Sequence, residues 1–380
     1  MKSDYLVMTP GPTMVSLEVR NARAIPCTNP DIDKEFVEFY KDTCQAISQK
    51  LNTNNETLIL SGEGILGLEA VCASLTEEKD RVLVIDNGIY GRGFKDFVEL
   101  YGGVCDLYTA PYDETIDVEK LSEYLKNNHQ YKYATVVHCD TPSGMLNDIG
   151  KICPLLKKYG ILTVVDSVSG MFGNQVLTDK WQIDVLCGGS QKALSAPAGL
   201  TFVTLSDEAK KAIYERKTKI KSFYLNLANF KTYYEDKWFP YTMPISDIMG
   251  LNCAINKIDD TLVAKHERIA KATRYALLKK GLKLYLKSGF SNTVSVFKVP
   301  EGIKCDDILE EMKKHNILLA GSFDYLDKKV IRIGHMGENA TIENMEKTLK
   351  ALDEVLDLLG FSKGKNESLK ENFMEWFTNN

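Results

Sequence analysis

From about residue 58 to residue 205 the chain alternates short apolar runs with amphipathic stretches. The runs, rich in Val, Ile, Leu and Thr, predict strands over 57–60, 81–85, 104–108, 134–139, 162–165, 185–187 and 201–204. Between them apolar positions recur at helical spacing, which predicts helices over 64–74, 93–100, 118–127 and 152–159. Short β-rich runs separated by helices form βαβ units, so the pattern predicts an α/β fold with a large, doubly wound, mostly parallel sheet. After about residue 249 the texture changes. A helical pattern over 248–280 is followed by shorter stretches at 293–299, 306–315, 329–333 and 342–359, which read as a smaller α+β unit. The polar stretch 362–370 predicts a loop before a last short helix. The division expected is an N-terminal segment 1–19 packing on the small domain, a large domain 20–249 and a small domain 250–380 that starts with the linking helix.

Composition narrows the function more than the fold. With 380 residues and 44% hydrophobic content the chain has ample material for a core. A net charge of -5 argues against a general nucleic-acid binder or a basic membrane-surface protein. The nine cysteines stand singly with no Cys-x-x-Cys pair, and the five histidines add no metal-ligand spacing, so no metal site is expected. Unpaired cysteines suit a reducing compartment. The start, Met1-Lys-Ser-Asp-Tyr-Leu-Val7, is too short and polar for a signal peptide, and no apolar run is long enough for a bilayer span. A cytoplasmic location is expected.

The candidate chemistry lies at two strand ends. Asp166 closes the run Ile161-Leu-Thr-Val-Val-Asp166, and Lys192 follows the next run in Asp184-Val-Leu-Cys-Gly-Gly-Ser-Gln-Lys192. A lysine and a carboxylate so placed are what pyridoxal phosphate chemistry needs. The lysine forms a Schiff base with the cofactor aldehyde, and the carboxylate keeps the pyridine nitrogen protonated so that the ring accepts electrons. A competing signal is Gly62-Glu-Gly64-Ile-Leu-Gly67, which matches the dinucleotide fingerprint, with Asp86 ending the next strand as a ribose-binding acid would. The physics of that motif is broader, because a glycine turn at a helix start can seat any phosphate. The nicotinamide reading leaves Asp166 and Lys192 without a role; the pyridoxal phosphate reading uses all three features.

Several stretches, in order, are similar to the class V pyridoxal-phosphate aminotransferases, specifically the alanine–glyoxylate, serine–pyruvate and 2-aminoethylphosphonate transaminase group. They are Thr9-Pro-Gly-Pro-Thr13, Ser61-Gly-Glu-Gly64, Asn87-Gly-Ile-Tyr-Gly91, His138-Cys-Asp-Thr-Pro-Ser-Gly144 and Val165-Asp-Ser-Val-Ser169. Gly189-Ser-Gln-Lys-Ala193, Arg216-Lys-Thr-Lys219 with Ser222-Phe-Tyr-Leu225, and Ile331-Arg-Ile-Gly-His-Met-Gly337 continue the series. The resemblance implies a fold-type I enzyme, active as a homodimer with shared active sites. It implies Lys192 and Asp166 as catalytic residues, Tyr90 stacked on the ring, and Thr141 or Ser143 on the ring hydroxyl. The phosphate would rest on Glu63, Gly64, Ile65 and Gln191, with Tyr241 and Thr242, in Pro240-Tyr-Thr-Met-Pro244, reaching across the dimer. Arg332 would hold the substrate carboxylate, with Gly11 and Thr28 beside it; the planar guanidinium donates two parallel hydrogen bonds to such a group.

The implied reaction moves an amino group from a small donor, of the alanine or serine type, to a 2-oxo acid such as glyoxylate or pyruvate. His138-Cys-Asp-Thr-Pro-Ser-Gly-Met-Leu-Asn147 looks more like aminoethylphosphonate enzymes, whose donor would need a further cation, with Arg20, Arg23 and Arg92 as the candidates. Cysteine desulfuration would need a mobile nucleophile, for which Cys305 is the candidate; a catalytically silent protein of the same fold is a third alternative. Two departures from the family pattern stand out. Phe239 lies near where relatives supply a tyrosine. Glu63 replaces a small hydroxyl residue, and a carboxylate about 4 Å from a phosphate costs ~4 kcal/mol per unit charge pair at an effective dielectric of ~20. Its side chain is therefore expected to turn away and leave only its backbone N–H to the phosphate.

Overall fold

The computed structural model describes residues 4–361 and 366–380. Seven strands form one sheet in the spatial order Glu56–Ser61, Leu200–Leu205, Val185–Gly189, Leu162–Asp166, Tyr133–Val137, Arg81–Asp86, Val104–Thr109. Leu200–Leu205 runs antiparallel to both neighbours, and the other pairings are parallel. The mostly parallel sheet expected from the pattern is therefore present. Tyr133–Val137, Val185–Gly189 and Leu200–Leu205 are buried at every position. Strands covered by helices on both faces have no wet side, which is why these runs carry no charge and, apart from Thr135, Thr201 and Thr204, are apolar instead of alternating.

The connecting helices are Gly64–Leu75, Ile89–Leu100, Val118–Asn127 and Ile149–Lys157. Gly64–Leu75 is apolar nearly all round and largely buried, as a helix in the middle of a layer must be. At the centre of the sheet Asp166 lies opposite Cys187 of the neighbouring parallel strand. The residues after both strands thus leave the sheet at the same edge, the carboxyl end at which open α/β sheets bind ligands.

Two expected elements differ. The strand predicted over 134–139 ends at Val137, with the His138 N–H making a last bond to the Asp166 carbonyl of the neighbouring strand at 2.7 Å. Cys139–Asp140 then pairs antiparallel with Met145–Leu146 in a small hairpin. The helix predicted over 248–280 is two helices, Ile245–Asn256 and Leu262–Lys279. Asp259 separates them: one carboxylate oxygen accepts from the Thr261 N–H at 2.8 Å and the Thr261 hydroxyl at 2.6 Å. A local side-chain turn of this kind competes with the helical ladder, whatever the apolar spacing on either side.

Beyond that break, Val294–Lys298 pairs antiparallel with Val330–Gly334. A second core gathers Met8, Phe297, Ile331, Ile333, Leu349 and Leu352. The N-terminal strand Leu6–Val7 joins it by parallel pairing with Ile317–Leu318. The helix Leu369–Asn379 closes the chain, and of the loop expected over 362–370, residues 362–365 lie outside the described residues.

Candidate active site

Asp166 and Lys192 line one cavity at the carboxyl edge of the sheet. One Asp166 oxygen accepts from the Val168 N–H at 2.9 Å. Burial nevertheless pushes its carboxyl up to about 7, because water that would solvate the anion is excluded. Lys192 shows the complementary effect. Burial first, and then the charge of Arg332, pull its ammonium down to about 8. Its Nζ donates to the Pro10 carbonyl at 2.8 Å. The N-terminal segment is thus laid directly over the lysine: a Cβ at Gly11, whose φ is +99°, would lie 2.5 Å from Lys192 Cδ. Gly11 is there because nothing larger fits.

The cavity's other end is the start of the helix Gly64–Leu75. Gly64 sits against Val168, whose Cγ1 would be 2.8 Å from a Cβ at that position. The Ile65 N–H and the Gln191 amide are the polar groups at this end. Both are engaged by Glu63: Oε1 accepts from the Ile65 N–H at 3.2 Å and Oε2 from Gln191 Nε2 at 3.2 Å. This corrects the expectation that Glu63 turns away. A residue at a helix N-cap with a side-chain oxygen within reach satisfies an otherwise unpaired N–H, and that attraction folds the carboxylate back over the helix start.

Tyr90 forms the opposite wall, with its ring edge-on to Phe323 at 6.3 Å. Its N–H donates to Asp140 Oδ1 at 3.2 Å. Asp140 is a buried carboxylate that the sequence reading passed over, although it lies within a quoted motif. It also accepts from the Ser143 hydroxyl at 2.6 Å, so Ser143 is committed there and does not line the cavity, whereas Thr141 does. The Thr141 hydroxyl donates to Ser169 at 2.7 Å, and Ser169, also overlooked, passes the chain of bonds to the Cys139 carbonyl at 2.9 Å. Arg332 stands on the strand Val330–Gly334 with Ile331 and Ile333 directed into the second core, as the alternation predicts. Its Nε donates to the Gly321 carbonyl at 2.5 Å and its Nη1 to the Thr141 carbonyl at 3.4 Å. An amine and a buried carboxyl thus line one cavity, and the Arg332 guanidinium, outside that lining, stands beside it through its bond to Thr141.

Other candidates lie elsewhere. Thr28 is exposed, on a stretch without regular structure. Tyr241 stacks on Tyr224 at 4.4 Å and Thr242 donates to Asp31 at 3.0 Å; neither lines the Lys192 cavity of its own chain. Phe239 is buried among Phe36, Tyr40 and Tyr233. Asp86, the ribose acid of the dinucleotide reading, is buried and accepts from the Tyr112 hydroxyl at 2.6 Å. Cys305 is buried in the second core, with its thiol directed to the Val330 carbonyl at 3.8 Å. Arg23 pairs with Asp247 at 2.5 Å and Arg92 approaches Asp86 at 4.0 Å. None of Arg20, Arg23 and Arg92 lines the cavity.

Known proteins match this chain over nearly its whole length. The family model for class V aminotransferases covers residues 21–322. An uncharacterised aminotransferase of Methanocaldococcus jannaschii is 35% identical over 96% of this chain and 98% of its own. A pyridoxamine–pyruvate transaminase of Mesorhizobium japonicum is 30% identical over 82% of this chain and 81% of its own. The crystal structure of a ureidoglycine–glyoxylate aminotransferase from Bacillus subtilis superposes with a TM-score of 0.94 at 25% identity, covering 100% of this chain and 99% of that one. A family match of that span, joined to such similarity in sequence and fold, decides the assignment: the chain belongs to the class V aminotransferases and is a pyridoxal-phosphate-dependent transaminase.

Proposed function

We propose that the enzyme moves an amino group from a small donor of the alanine or serine type to glyoxylate or pyruvate, as a cytoplasmic homodimer. The observation that carries this reading is the placing of Arg332 beside the cavity that holds Lys192 and Asp166. It gives a 2-amino or 2-oxo acid a cation for its carboxylate next to the reacting amine. The names of the two relatives, one using pyruvate and one using glyoxylate, support acceptors of that size.

The cavity fits the cofactor at its ring end. An enclosed carboxyl with a raised pKa faces into it with Lys192, and Tyr90 supplies an aromatic wall. At the other end the bare Gly64 allows close approach, but the Glu63 carboxylate occupies the Ile65 N–H and the Gln191 amide, so the phosphate end does not match the cofactor as the ring end does. When bound, the cofactor would supply an electron-accepting ring linked to the donor through its amino nitrogen. Lys192 would hold it covalently and, as a free amine, would be the base that moves a proton during the transfer. A lysine held at about 8 keeps a useful share of free base near neutral pH, where an ordinary lysine has almost none. Asp166, in the cavity lining, would be the partner of the ring nitrogen. Thr141, facing the cavity, is assigned the ring hydroxyl in preference to Ser143. Arg332 orients the carboxylate, with its own plane held by Gly321 and Thr141. Gly11 lets the N-terminal segment close over Lys192, and Thr28 is assigned to the substrate side.

The dimer reading is supported by apolar surface near the unplaced residues. Ile32, on the turn that bonds Thr242, is 78% exposed, and Tyr224, stacked on Tyr241, is 55% exposed. Tyr241 and Thr242 are therefore assigned to the partner's cavity. The two cores support a large and a small unit, with Met8 in the second, but Leu251, Ala254 and Ile255 pack in the first core, so the helix Ile245–Asn256 is assigned whole to the large unit in place of a boundary at 249. The free cysteines suit the cytoplasm, and among the described residues no helix is long and apolar enough to cross a membrane.

The test is a spectrum of the cofactor-loaded enzyme with alanine, serine, 2-aminoethylphosphonate or cysteine, each added without acceptor. Loss of the lysine-bound chromophore with alanine or serine supports the proposal. A response to aminoethylphosphonate alone would replace the donor. Sulfide release from cysteine would mean desulfuration, which the buried Cys305 does not favour.

A further inference from the structure

The donors assigned to the cofactor's phosphate already hold an anion. Glu63 spans the Ile65 N–H and the Gln191 amide at 3.2 Å each. Both partners are neutral, so they offer no positive charge against a second anion in the same seat. Gln191 is 6% exposed and its Oε1 has no partner, so this end of the cavity presents a buried acceptor that calls for a hydrogen-bond donor. A phosphate ester carries about 1.5 to 2 negative charges and only accepts at neutral pH. It therefore repels the Glu63 carboxylate and leaves Gln191 Oε1 unsatisfied. A hydroxymethyl group in its place is neutral and donates, and either acceptor can take its proton.

We propose that Glu63 is a specificity residue that turns this end of the site against the phosphate ester and toward the unphosphorylated pyridine, pyridoxal or pyridoxamine. The inference rests on the assignment of Lys192 and Asp166 as the ring site. It has a consequence for retention. A pyridine without a phosphate anchor is held chiefly by its bond to Lys192, so its amine form, which lacks that bond, leaves the protein.

The experiment is an equilibrium titration of the cofactor-stripped chain with pyridoxal and with pyridoxal phosphate. Visible absorbance and tryptophan fluorescence follow binding, and borohydride reduction followed by peptide mapping locates the linkage. Wild type is compared with Glu63→Ser and Glu63→Gln; serine is itself a good N-cap, so the helix start survives. Wild type is expected to bind pyridoxal at least as tightly as the phosphate ester. Both substitutions are expected to tighten the phosphate ester on the order of a hundredfold and to change pyridoxal by less than about threefold. A wild type that binds the phosphate ester about a hundredfold tighter than pyridoxal, with that ratio unchanged in both variants, overturns the proposal. If neither ligand becomes linked to Lys192, the ring-site assignment itself falls, and the role of Glu63 falls with it.

Discussion

Asp166 sets a pH dependence that can be measured without substrate. Its carboxyl titrates near 3.8 in the unfolded chain and at about 7 in the folded, cofactor-free one. The native state therefore binds the extra proton between those values, so the contribution of Asp166 to stability is fullest below pH 4 and is lost as pH rises toward 7. The ceiling on this contribution is on the order of 4 kcal/mol. Asp166→Asn should remove the slope: in urea titrations of the cofactor-free protein from pH 4.5 to 8, its midpoint should fall less than that of wild type. A wild type with the same flat profile would place the Asp166 pKa at its ordinary value. Arg332 makes a different prediction. Lys keeps the charge but not the planar fork, so Arg332→Lys should raise KM for donor and acceptor about tenfold with a smaller change in kcat. Steady-state kinetics with both substrates check it. These residues were legible in the sequence because their types and spacing are chemical. Asp140 and Ser169 were not: Asp140 acts through Tyr90, which only a hydrogen bond reveals, and Ser169 joins the cavity lining only through the fold.

At the level of elements, the site depends on backbone placed where a side chain would collide. A Cβ at Gly11 would lie 2.5 Å from Lys192 Cδ and 2.6 Å from its Nζ, at a φ that L-residues avoid. Gly11→Ala should leave the helix content unchanged by far-UV circular dichroism and abolish the lysine-bound chromophore. Retention of the chromophore would show that the N-terminal segment yields instead of the lysine. The strands of the main sheet were readable because burial on both faces forces continuous apolar runs, which differ plainly from helical spacing. The break at 257–261 was not. The apolar period continues through it, and the determining event is the Asp259–Thr261 turn, a contact no periodicity records. Glu63 was misjudged for a related reason. Its charge argued for avoidance of a phosphate, while the nearer force was the unpaired N–H at its own helix start.

On the scale of the whole molecule, the sites are expected to be complete only in the dimer. Tyr241 and Thr242 are held by contacts away from their own cavity. Mixing Lys192→Ala with a Tyr241→Ala, Thr242→Ala double variant, each impaired alone, should recover activity as heterodimers form, because one cavity then has every group. No recovery after verified subunit exchange would put the two residues outside the site.

The sequence by itself determined the α/β layering, the Lys192–Asp166 pair, the arginine and the family. Each of these is written either in a hydrophobic period or in residue types that few chemistries share. The tertiary structure alone decided that Thr141 and not Ser143 faces the cavity, that the long helix is broken, and that Glu63 lies across the helix start. Those outcomes turn on hydrogen bonds between groups distant in the chain or on short local turns. Such contacts compete at a kcal/mol or so each, too finely for pattern alone to rank.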